Sequence, residues 1–179
     1  MPPDLRAKQT VVFRLATAGV VASVAYVGVA YALFPPLAGM DGPIDRLVLA
    51  LRCDAVAALT LAAGIQRIAT DRRRSDAIDP LAGMESRQMQ VHARYVQNTL
   101  EQLVLFVLGT SALSTYLDGG SARIIPVLTS AFVLARVAFW VGYLRDPLVR
   151  AFGMAATFMV TVPVLLYVVY RIVRGLVGA

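Results

Sequence analysis

"RYVQNTLEQLVLFVLG", residues 94–109, begins like the polar end of a helix and finishes like the middle of a membrane span. Arg94, Asn98 and Glu101 stand at i, i+4 and i+7, so a helix stacks all three on one face. Leu103 through Gly109 then pass without a charge. A chain that places arginine, asparagine and glutamate where lipid begins needs a protein-lined or water-filled space to receive them.

The rest of the chain sets the lipid context. Its 179 residues are 58% hydrophobic, and the mean hydropathy is +0.68. Such a composition belongs to a helical protein that crosses a bilayer several times. The formal charge is +6, and all basic residues are Arg except Lys8. These arginines cluster between apolar runs, which points to the positive-inside pattern of membrane topology and away from nucleic acid. Arginine in place of lysine, with abundant alanine, suggests a GC-rich bacterial source and hence an inner-membrane location. Cys53 is the lone cysteine, so no internal disulfide forms.

Five apolar stretches follow in order: about 11–34, 46–69, 93–117, 124–144 and 150–170. The first carries no charge between Arg14 and Asp41, long enough to cross a hydrocarbon core of about 30 Å. It reads as a span, although Arg6, Lys8 and Arg14 before it resemble the start of a signal peptide. "FPPLAGMDGPID" at 34–45 is a Pro/Gly-rich turn, and "TDRRRSDAIDPLAGMESRQ" at 70–88 is a polar loop. The amino terminus, the Arg72–Arg74 loop and the Arg145–Arg150 turn fall on one side, expected to be cytoplasmic. Five spans then leave the carboxyl terminus outside.

Two polar sets stand out within these spans. Arg94, Asn98 and Glu101 form one, and Arg136, Tyr143 and Arg150, spaced by sevens, form the other. Both lie toward the cytoplasmic ends, so they can converge on one cavity. A plainer reading stands beside this one: Arg94 pairs with Glu101 inside a bundle, and Arg136 and Arg150 reach to the headgroups. His92 lies ahead of the third span and is expected to face solvent. No spacing of Cys, His and carboxylates suits a metal, and no Gly-rich phosphate loop or Ser–His–Asp set exists.

"RYVQNTLEQLVLF" resembles the Arg-x-x-x-Asn-x-x-Glu signature of the MAPEG family, membrane-associated proteins in eicosanoid and glutathione metabolism. "ARVAFWVGYLRDPLVR", residues 135–150, is similar to that family's second signature, and "GIQRIATDRRR" to the end of its first helix and its basic loop. The resemblance covers roughly residues 46–172. It implies an all-α integral membrane protein: a four-helix MAPEG-like domain at 46–179 preceded by an additional span and turn at 1–45. It also implies a homotrimer, glutathione as co-substrate, and lipophilic small molecules arriving from membrane lipids. By position, Arg94, Asn98, Glu101, Arg136 and Tyr143 match glutathione-binding residues, and Arg150 the arginine that stabilises the thiolate. Arg67 and Gln97 are further possible members. Two departures mark the chain: Gln102 comes just after the glutamate and Phe139 three residues after the first arginine of the second signature, each where relatives carry a hydroxyl or imidazole.

The chemistry of that pattern is coherent. Glutathione has two carboxylates and one ammonium, which call for cations and one anion. Arg94, Arg136 and Glu101 supply them. A thiol of ordinary pKa about 8.5 is ionised by a nearby guanidinium, two units costing about 2.7 kcal/mol. The expected activity is therefore that of a transferase or peroxidase acting on lipophilic electrophiles. The alternative is a non-catalytic member that binds lipid or a partner protein.

Overall fold

The computed structural model describes residues 3–77, 79 and 83–178. Five helices account for nearly all of it: α1 (Pro3–Leu33), α2 (Pro43–Arg73), α3 (Arg87–Ser114), α4 (Ile124–Arg145) and α5 (Arg150–Val177). Among the described residues there is no strand. At about 1.5 Å per residue, even the shortest, α4 with 22 residues, crosses a hydrocarbon core.

Four helices are long and apolar enough to cross a membrane, with mean hydropathies of 1.7 for α1, 1.8 for α2 and 2.0 for both α4 and α5. The third, expected as a span, falls short of them although it has 28 residues. Its stretch from 87 to 102 carries Arg87, Arg94, Asn98, Glu101 and Gln102, and it packs against α2, α4 and α5. One face of α3 is packed on its neighbours, while Arg94, Gln97 and Glu101 stand exposed on another, so this helix is not apolar all round.

Local chemistry sets the helix starts. Pro43 opens α2, and the Gly42 amide donates to Asp45 Oδ2 at 3.1 Å. Ser86 caps α3 by accepting from the Met89 amide at 3.2 Å. That cap begins α3 at Arg87, six residues before the expected boundary at 93, and draws part of the expected polar loop into the helix. Between α3 and α4, Asp118 Oδ1 accepts from the Ser121 amide at 2.7 Å and hydroxyl at 2.8 Å. These bonds favour the carboxylate and hold its pKa below the usual range.

The core lies where α2, α3, α4 and α5 meet. Phe106 stacks on Phe132 with ring centroids 4.4 Å apart, flanked by Leu103, Leu128 and Val160. Polar bonds fasten α3 to α2: Thr110 and Ser111 donate to buried Asp54 at 2.8 and 3.3 Å. Arg46 donates to the Ser114, Met40 and Asp41 carbonyls. α1 packs only on α5 and α4, and most of its surface is exposed apolar side chain.

Glycine permits the closest approach. A Cβ at Gly153 collides with the Phe139 backbone across the α4–α5 contact. Gly153→Val should therefore force the two helices apart, at about 1–3 kcal/mol or more. A thermal-unfolding midpoint in detergent equal to that of the unmutated protein would contradict this packing.

Candidate functional site

Beside the Gly153 contact, the α3, α4 and α5 surfaces part to leave an open cavity of about 460 Å³. α3 lines it with Arg94, Gln97, Asn98 and Glu101, successive helical turns of a single face. α4 adds Phe139 and Tyr143, α5 adds Arg150, Ala151 and Met154, and α1 reaches in with Val12. Five of the six residues expected to bind or activate a thiol thus border one space, and so does Gln97.

The cavity is asymmetric. Its polar side holds two guanidiniums against one carboxylate. Among the described residues Arg94 and Glu101 do not pair with each other. Glu101 instead accepts from Gln97 Nε2 at 2.8 Å. The plainer reading of an internal Arg94–Glu101 bridge is therefore replaced by two charges that both face the opening. The Arg150 guanidinium lies over the Tyr143 ring at 4.7 Å, within cation–π range. Tyr143 meets Phe139 edge-on at 5.9 Å. Tyr143 also borders a second cavity of about 560 Å³ that opens past Arg87, Gln88 and Arg145.

Arg136 takes a different place from its neighbours. It is wholly buried, one layer behind the cavity wall, and not at the headgroups. Its Nη2 donates to Asn98 Oδ1 at 3.0 Å and its Nη1 to Thr157 Oγ1 at 3.4 Å. Its guanidinium sits 4.2 Å from the centroid of Phe139 and 5.7 Å from that of Tyr95. Nε has no hydrogen-bond partner, and among the described residues no carboxylate neutralises the charge. With its carbonyl oxygen held from behind, Asn98 has its amide N–H groups left for the cavity. An uncompensated guanidinium behind a basic wall makes the space attractive to an anion.

Three other residues fall elsewhere. Arg67 on α2 donates to Asp71 at 3.2 Å and does not line the cavity. Gln102 points into the bundle and is buried, so its replacement of a hydroxyl residue leaves this wall untouched. Phe139 does stand in the wall. His92, expected in solvent, is 1% exposed. Its Nδ1 accepts from Trp140 Nε1 at 2.9 Å, and its Nε2 lies 3.6 Å from Asp71. Trp140, packed flat on Tyr95 at 4.4 Å, closes this corner. Val12, Ala151 and Met154 carry no charge and no motif, and nothing in their local sequence marks them as cavity residues.

Apolar helices thus surround a basic, half-open cavity, an arrangement of the kind found in helical membrane bundles, whose charge suits an anionic or zwitterionic group. The chain belongs to the MAPEG family, whose model matches residues 48–170. That match leaves α1 outside. Among known proteins it is similar to transmembrane protein 79 of Bos taurus, 29% identical over 160 residues, covering 83% of this chain and 40% of that protein. The Mus musculus protein of the same name is 27% identical over 146 residues, covering 79% and 36%. The chain therefore spans well under half the length of these relatives, both vertebrate and both named for membrane crossing. No solved structure matches it.

Proposed function

We propose that the protein binds glutathione and uses its thiolate on lipophilic electrophiles, as a membrane transferase or peroxidase. The observation that carries this reading is the convergence of Arg94, Asn98, Glu101, Tyr143 and Arg150 on one cavity. Arg94 and the Asn98 amide face the carboxylates of the tripeptide, Glu101 faces its ammonium, and Arg150 faces its sulfur. Arg136 acts from behind, through Asn98 and through its charge. A thiolate held there attacks an electrophilic carbon that reaches it from lipid.

The same geometry supports a homotrimer. Arg94, Gln97, Glu101 and Arg150 are exposed on one subunit, at a surface that otherwise meets hydrocarbon. A neighbouring subunit closes the cavity and removes that cost. Residues 1–45 then form an added span and turn, and 46–179 the four-helix domain. The arginine-rich composition favours a bacterial inner membrane, with the amino terminus and Arg72–Arg74 in the cytoplasm and the carboxyl terminus outside. In a Cys53-free background, a cysteine at Gly119 should react with an impermeant thiol reagent in intact cells and one at Ser75 should not. The reverse pattern overturns this orientation.

Glu101→Gln tests the ligand. It keeps the side chain's shape and removes the acidic group, so glutathione affinity should fall by about 1.5–3 kcal/mol, the range for a hydrogen bond to a charged group. Calorimetric titration of detergent-purified protein reads this directly. A loss of heat stability with unchanged affinity would make Glu101 structural. A second reading, a non-catalytic lipid- or partner-binding member, is favoured by Phe139, which puts a hydrocarbon ring in the wall. Absence of glutathione binding in the unmutated protein decides for that reading.

A further inference from the structure

The cavity has a second half that the thiol does not need. Besides the polar side chains of α3, the lining includes apolar Val12 of α1, Phe139 of α4 and Ala151 and Met154 of α5. Val12 comes from α1, the helix that the family match at 48–170 does not include. Its position there is built, not incidental. Val12, Gly19, Ser23 and Tyr26 are spaced by 7, 4 and 3, one face of a helix. Each of the last three fixes α1 to the bundle. A Cβ at Gly19 collides with the Phe152 carbonyl, so the α1 and α5 backbones touch. Ser23 Oγ donates to the Ala156 carbonyl at 3.2 Å, and the Tyr26 hydroxyl to Ser130 Oγ at 3.0 Å. Beyond Arg14, α1 exposes Val20, Val21, Val24, Val29 and Leu33 on its outer side. A molecule moving from the bilayer along α1 therefore meets Val12 as it reaches the charged wall.

We infer that Val12, with Ala151 and Met154, forms the recognition wall for the unbranched apolar chain of the electrophile, which makes α1 the specificity-determining element of the site. This rests on the thiol reading above. A suitable electrophile is a straight-chain 2-alkenal. The glutathione sulfur forms a bond to its β-carbon, and the π pair moves to the carbonyl oxygen. The resulting enolate takes a proton from water at the α-carbon, and the hydroxide so formed is neutralised by the proton the thiol released on ionising. The reaction is a net addition with no leaving group and no further reactant.

The experiment compares kcat/KM for 2-pentenal and 2-nonenal, with glutathione binding followed by calorimetry on the same samples. Val12→Trp fills the apolar half and should lower the nonenal-to-pentenal ratio at least tenfold, the scale of one or two misfitting methylenes. Glutathione affinity should stay within twofold. Val12→Ala should move the ratio the other way, and decides the matter if the tryptophan variant fails to fold. Gly19→Leu, which lifts α1 off α5, should flatten the chain-length preference while glutathione still binds. Intact glutathione binding with an unshifted ratio in the Val12 variants overturns this inference and leaves the thiol reading standing. No glutathione binding in the unmutated protein overturns both.

Discussion

Arg150→Ala should slow conjugation of a hydrophobic electrophile by about a hundredfold or more, the usual cost of losing a preorganised charge at the reacting atom. Glutathione binding should weaken far less. Arg150 is the first residue of α5, and its guanidinium is held over Tyr143 at the cavity edge. A cation beside sulfur favours thiolate over thiol, so it lowers the thiol's pKa, and removing it raises that pKa back toward about 8.5. The thiolate absorbance of bound glutathione should consequently appear at higher pH in the alanine variant. Arg150→Lys should restore part of the rate, because it keeps the charge and loses the planar fork. Equal turnover and an unchanged thiol titration in Arg150→Ala would reduce Arg150 to a headgroup anchor.

The second large effect concerns Arg136, and it separates folding from binding. Replacing a buried charge by a hydrocarbon of similar volume is often neutral or stabilising to a fold. Arg136 is fully buried, with neutral Asn98 and Thr157 as its hydrogen-bond partners. Arg136→Met should accordingly leave the ligand-free protein as heat-stable as before, or more so. Glutathione affinity should nonetheless drop at least 30-fold, about 2 kcal/mol or more, because the charge behind the wall and the hold on Asn98 are both gone. A variant that unfolds readily yet binds normally would show that Arg136 serves the bundle and not the ligand.

The sequence made most of the helices plain and the site partly so, for different physical reasons. α1, α2, α4 and α5 are recognisable from length and hydropathy alone, since lipid asks little else of a span. α3 also reads as an apolar stretch, at 93–117, but falls short of the others in hydropathy, and the spacing of Arg94, Asn98 and Glu101 gives it a polar face. Those three residues share a cavity because they share a face, which is local geometry. Arg136 and Tyr143 also share a face by spacing, yet one is sealed behind Asn98 and the other lines the opening. Seven residues carry a helix through nearly two turns, and what flanks each turn is decided by other helices. The burial of His92 has the same origin: Trp140 on α4 and Asp71 on α2 close over it from a distance in sequence. Val12 is the extreme case, an ordinary valine made part of a site only by where Gly19 lets α1 lie.

The polarity of α3 also bears on how the chain reaches its membrane. A single charged side chain at the centre of an isolated span costs about 2.5–3.5 kcal/mol during insertion, and the first half of α3 carries several charged and amide groups. Alone, this segment suits lipid less well than the other four helices. Its partners in the fold are α2, with Asp54 hydrogen-bonded to Thr110 and Ser111, α4, with Arg136 hydrogen-bonded to Asn98, and α5, which packs along it. α3 should therefore enter the bilayer only in company with the helices that receive its polar face, and a chain truncated after α3 should insert that segment poorly in a translocation assay. The polar face that lines the cavity thus also sets an expected order of assembly in the membrane.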